Sequence, residues 1–96
     1  MIRNFGDDGT RDLWAGASNA RVRRYPADIR ERALRLLERL NAAGAVEDMR
    51  LPPANRLHKL ADDLAGFWSV SVNKQWRVIF RWTDGGPADV RLLDYH

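Results

Sequence analysis

The chain has 96 residues, 16 Lys plus Arg against 13 Asp plus Glu, a formal net charge of +3 and no cysteine. That length supports one hydrophobic core and a single domain over residues 1–96, and the missing cysteines exclude disulfides and thiolate metal sites, in keeping with a reducing cytoplasm. No apolar run approaches the ~18 residues of a membrane span, and the opening MIRNFGDDGT lacks a signal peptide's apolar stretch, so a cytoplasmic protein without membrane partners is expected.

In chain order, MIRNF alternates as a short first strand does, and DDGTRDLWAG reads as a short helix closed by Gly16. Residues 17–25, ASNARVRRY, form a polar, basic connection. The clearest element is PADIRERALRLLERLNAAG. Pro26 suits its first turn and Gly44 the position just past its end. Ile29, Ala33, Leu36, Leu37 and Leu40 share one helical face, while Glu31 and Arg35 sit four apart on the solvent side.

AVEDMRLPPANRLHKLADDLAG follows. Pro52-Pro53 forbids a regular helix through its middle, so a long loop with one short turn at VEDM is expected. Loops of such length in small domains tend to carry function. Three segments rich in aromatic and β-branched residues complete the chain: FWSVSVN, QWRVIFRW and ADVRLLDYH. Turn signals at Asn73-Lys74 and Asp84-Gly85-Gly86-Pro87 separate them, which predicts two consecutive hairpins and an antiparallel meander.

Period-two alternation sorts the faces. Trp76, Val78, Phe80 and Trp82 line one side of the middle strand, with Arg77, Ile79 and Arg81 on the other. In the preceding strand Trp68, Val70 and Val72 face the core, with Phe67, Ser69 and Ser71 outward. The last strand stays ambiguous, because Leu92 and Leu93 are adjacent. The four tryptophans Trp14, Trp68, Trp76 and Trp82 are read as core. One sheet face thus packs on the helix and the other is open to a partner.

The available chemistry is narrow. With no HExxH or comparable spacing and two histidines far apart, no metal site and no cofactor are expected. Gly85-Gly86 precedes Pro87 rather than a helix, so it does not cradle phosphate. What remains is a set of proton-transfer groups near cations, and 14 of the 16 cations are arginine, whose planar fork suits phosphate. RNA cleavage by the substrate's own 2′-hydroxyl needs only a base, an acid and positive charge around the phosphorane. His58 and His96 suit either proton role. Tyr95 can donate, Asp94 can orient an imidazole or act as a base, and Arg77 and Arg81 can hold a phosphate. This convergence requires the His58 loop to fold over the outward face of the sheet.

The proline pair leading into NRLHKL, the hairpin WSVSVNKQWRVIFRW and the terminal DYH closely resemble the C-terminal half of HigB-type toxins of the RelE superfamily. The opening and the long helix match more loosely. The resemblance implies an α+β fold, with a small curved, mainly antiparallel sheet packed against two N-terminal helices. It implies a toxin of a type II toxin–antitoxin system, a ribosome-dependent messenger-RNA endonuclease cutting in the A site. Its partners are then the ribosome, messenger RNA and a helix-turn-helix antitoxin of the HigA kind. Carried over by position, the catalytic residues are His58, Asp94, Tyr95, His96 and Arg77. Arg56, Lys59, Lys74 and Arg81 are expected RNA contacts on charge alone. One departure stands out: Ala61-Asp62-Asp63 occupies the place where relatives often carry lysine followed by Gly-Asp, which weakens phosphate contact there. Two alternatives share parts of the pattern: a ParE-like gyrase poison, which needs no acid–base set, and a non-enzymatic RNA-binding module.

Overall fold

The computed structural model describes residues 1–95, and His96 lies outside them. Three helices come first: α1 (Asp8–Trp14), α2 (Ala20–Arg23) and α3 (Ala27–Ala42). Asp7 caps α1 by accepting from the Thr10 amide at 2.7 Å, and Gly16 past its end takes the left-handed conformation, φ +79°. The basic connection expected at 17–25 contains a helical turn instead. Asn19 accepts from the Val22 amide at 3.1 Å, and Val22 is buried, which together nucleate α2. In α3 the five residues expected on one face are the five that are buried.

The strands are β1 (His58–Lys59), β2 (Trp68–Ser71), β3 (Trp76–Thr83) and β4 (Gly86–Asp94), antiparallel in the order β1-β2-β3-β4. Two hairpins form as the turn signals predict. At the first, Asn73 Oδ1 accepts from the Gln75 and Trp76 amides, an Asx-type turn. The second is closed by the Thr83 hydroxyl donating to the Gly86 carbonyl at 2.6 Å.

Two expectations need correction. MIRNF is not a ladder strand: it makes one parallel bridge, Phe5 to Val90, with Arg3 donating to the Pro87 carbonyl. It covers the outer edge of β4 and blunts it. The segment 45–66 is also more ordered than a loop with one turn. It holds 3-10 turns at Val46–Arg50, Pro53–Asn55 and Asp62–Leu64, and between them β1 adds an edge strand to the meander. Asn55, 5% exposed, locks the proline corner by donating to the Met49 and Leu51 carbonyls.

The core joins Leu13, Ile29, Leu37 and Leu40 to Val70, Val78, Phe80, Val90 and Leu92. The tryptophans are only partly buried and pack around its margin. Leu92 therefore faces inward, which resolves the parity of β4. A bulge lies between the pairs Ile79↔Arg91 and Arg81↔Ala88, where Asp89 takes φ +51°. Arg91 and Leu93 consequently share the outer face with Arg77, Ile79 and Arg81.

Candidate functional site

The outer face is less bare than alternation suggests. At its centre Ser69 and Ile79 are fully buried and Phe67 is 4% exposed. Arginine stems account for this. The Arg81 and Arg91 guanidinium carbons lie 4.3 and 5.5 Å from the Phe67 ring centroid, so two long side chains cover the apolar surface with their charged groups over the ring.

Arg77 is the best-braced cation on this face. Its Nη1 donates to the hydroxyls of Ser69 at 3.3 Å and Ser71 at 3.1 Å. Its guanidinium stacks on the Tyr95 ring at 4.9 Å. The serines can reach it because Ser71 is its cross-strand partner and Ser69 lies two residues further on the same face. Tyr95 continues the ladder beyond β4, its amide donating to the Gln75 carbonyl at 2.6 Å. The Nε atoms of Arg77 and Arg91 are both buried, and neither has a hydrogen-bond partner among the described residues. Arg91 is hemmed in by Gly6, where an added Cβ would meet its side chain, so a ligand approaching this face meets the outer nitrogens of the two guanidinium groups and not their covered Nε atoms.

His58 reaches the same face by a route different from the expected one. No loop folds over the sheet; β1 extends it, and His58 pairs with Ser69, which pairs with Ile79, which pairs with Arg91. His58 is exposed, and its Nδ1 sits 2.9 Å from the Arg56 carbonyl. Since a carbonyl only accepts, Nδ1 carries the proton and the neutral ring keeps its lone pair on Nε2. That tautomer is ready to act as a base through Nε2.

The other expected residues separate. Lys59 falls on the opposite face, its ammonium 5.1 Å from the Trp68 ring. Asp94 pairs in register with Trp76, on the helix side, and accepts from Gln75 Nε2 at 3.0 Å. Arg81 sits four residues along β3 from Arg77, roughly 13 Å away at the usual strand rise, and is ion-paired with Asp89 at 3.3 Å. Arg56, in the left-handed conformation at φ +50°, and Lys74 line a groove that Arg77 also borders. His96 is outside the described residues. Asp62, at φ +55°, and Asp63 sit in an exposed 3-10 turn after β1.

Sequence reasoning passed over Arg91, and it named Ser69 and Ser71 as outward without giving them a role. The period-two pattern contained the signal for the serines. Arg91 required the inward placement of Leu92, which only packing supplies.

Residues 3–96 match the family of RelE-like toxins of the type II toxin–antitoxin system HigB. The chain is 48% identical over 76 residues to Toxin HigB-1 of Vibrio cholerae serotype O1, covering 79% of each chain. It is 27% identical over all 96 residues to Endoribonuclease HigB of Proteus vulgaris, covering both chains fully. Among solved structures, the fold resembles a chain of the YoeB–YefM complex from Staphylococcus aureus, with a TM-score of 0.63 at 16% identity over 100% of this chain and 98% of that one. The YoeB dimer from the same organism gives 0.61 at 18% identity, over 99% and 94%.

Proposed function

Since the chain belongs to the RelE-like HigB toxins of type II toxin–antitoxin systems, we propose that it arrests translation by cutting messenger RNA in the ribosomal A site. A helix-turn-helix antitoxin of the HigA kind holds it inactive. The observation that carries this reading is Arg77, braced on the outer sheet face by two serine hydroxyls and an aromatic ring. A phosphate oxygen is the acceptor such a guanidinium takes best.

The reaction uses the 2′-hydroxyl of the substrate as nucleophile. His58 Nε2 takes its proton as the oxygen attacks the adjacent phosphorus, and Arg77 and Arg91 stabilise the charge of the phosphorane. The 5′-oxygen leaves with a proton from Tyr95 or His96, giving a 2′,3′-cyclic phosphate and a 5′-hydroxyl. Asp94, tied to Gln75 at the end of β4, orients the terminal residues. No metal ion is needed, because substrate and side chains provide nucleophile, base and acid. The net charge of +3 is small for holding free RNA, so the ribosome provides the alignment that turns an encounter into an in-line attack.

Cleavage of messenger in a purified translation system tests the reading. Cuts within codons occupying the A site, lost on Arg77→Ala, support it. Intact messenger with trapped gyrase cleavage complexes indicates a gyrase poison, and intact messenger with RNA retained indicates a binding module. Arg23 and Arg24, beside Arg21 with its 3.1 Å bond to Asp12, suit an acidic antitoxin face. Growth arrest on expression alone, relieved by co-expressing the adjacent gene, is expected.

A further inference from the structure

Between α3 and the β2–β3 turn lies a groove of about 570 Å³. Arg32, Arg35, Arg39, Arg56, Lys74 and Arg77 line it, and no acidic residue does so among the described residues. The helical contribution comes from spacing alone: positions 32, 35 and 39 recur at i, i+3 and i+7, a single face beside the inward-turned Leu36. Buried Leu36 and Val72 give the groove apolar lining between its cations. Arg35 is tied to Glu31 at 3.0 Å, but both side chains are well exposed, so the pair is weak enough to exchange for a phosphate. Arg39 is held in place by donating to the Leu51 carbonyl.

We infer that this groove is the path of the messenger strand beside the cleavage point, its phosphates on the α3 arginines and a nucleoside on the apolar lining. This rests on the proposed endonuclease function. Continuity favours RNA over an acidic protein segment: Arg77 and Ser71 border the groove, and they also form the phosphate site of the sheet face. A strand bound at Arg77 therefore enters the groove without leaving a positive surface. The volume falls within the range that holds small organic ligands, ~300–1,000 Å³, enough for a nucleotide.

The test compares the full-length wild type with Arg32→Ala/Arg35→Ala, neither residue touching the reacting atoms. A 2′-O-methyl RNA of about twelve nucleotides, within the site size of small RNA-binding folds, serves as uncleavable probe. Two lost single-strand phosphate contacts predict roughly 25-fold weaker binding at 0.1 M salt and a log–log salt slope shallower by about 1.4. A dinucleotide analogue spanning only the cleavage point should bind both proteins alike, and Arg32→Lys/Arg35→Lys should restore the slope. On programmed ribosomes the alanine variant should need more complex for half-saturation at an unchanged maximal rate. Unchanged probe affinity and slope overturn the inference. So does normal probe binding with weakened binding to vacant ribosomes, which would assign the groove to ribosomal RNA, or normal probe binding with loss of antitoxin capture. A wild type that cleaves no messenger refutes the proposed function instead, and the probe measurement reads out independently of it.

Discussion

The Arg77 guanidinium lies 4.9 Å from the centroid of the Tyr95 ring, joining the third strand to the residue that follows the fourth. The stack holds the Tyr95 ring beyond the end of β4, and it sets a planar cation against an aromatic face beside the proposed chemistry.

Arg77→Ala should therefore lower the cleavage rate by about 2–4 kcal/mol of transition-state stabilisation, the usual worth of one preorganised donor, with little change in melting temperature. Arg77→Lys keeps the charge but loses the fork and the flat stack, so it should recover only part of the rate. Single-turnover cleavage on stalled ribosomes, with thermal melts, makes the comparison. An unfolded Arg77→Ala whose residual folded fraction cleaves normally would show the residue to be structural.

His58→Ala should cost about 10²–10⁴-fold in rate, the range for one positioned proton-transfer group. Its side chain is exposed, so stability should stay within about 0.5 kcal/mol. His96→Ala should cost a similar factor if the last residue is the acid. Equal loss in both variants, with opposite limbs of the pH–rate profile removed, would assign base and acid separately.

Arg91→Met keeps an apolar stem over Phe67 while removing the guanidinium. A charged hydrogen bond is worth ~1.5–3 kcal/mol, so cleavage should fall at least tenfold with the fold intact. A melting temperature that drops while the rate holds would mean that Arg91 serves only to cover Phe67.

Thr10 is fully buried, and its hydroxyl oxygen accepts from the Leu92 amide at 2.9 Å, tying α1 to β4. Burial of the neighbouring Tyr25 raises its phenol above the ordinary value of 10.0. Thr10→Val leaves a buried amide unpartnered and should cost ~1–3 kcal/mol. The raised phenol means that the fold favours the neutral ring. The stability so gained is fully present below pH 10.0 and is lost as pH rises through the higher folded value. Melts from neutral to alkaline pH should show this decline in the wild type and a shallower one in Tyr25→Phe. An identical alkaline decline in both would exclude Tyr25 as its source.

The sequence by itself determined the long helix, the two hairpins and the inward faces of β2 and β3, because each rests on a local period that burial obeys. Residue type singled out the two histidines as candidate proton-transfer groups beside Asp94 and Tyr95, but among 14 arginines it took strand alternation to set Arg77 and Arg81 apart. Alternation could not determine which of two adjacent leucines turns inward. Only the packing of Leu92 beneath α1, with a bulge at Asp89, settled that choice and brought Arg91 onto the outer face. Nor could a two-residue edge strand be read from RLHKL, because its pairing energy comes from β2, which lies later in the chain. The same strand sends Lys59 to the face opposite His58, since neighbouring residues in a strand point opposite ways. The groove is purely tertiary: its arginines lie on one helix face, but their nearness to Lys74 and Arg77 exists only once α3 packs on the sheet.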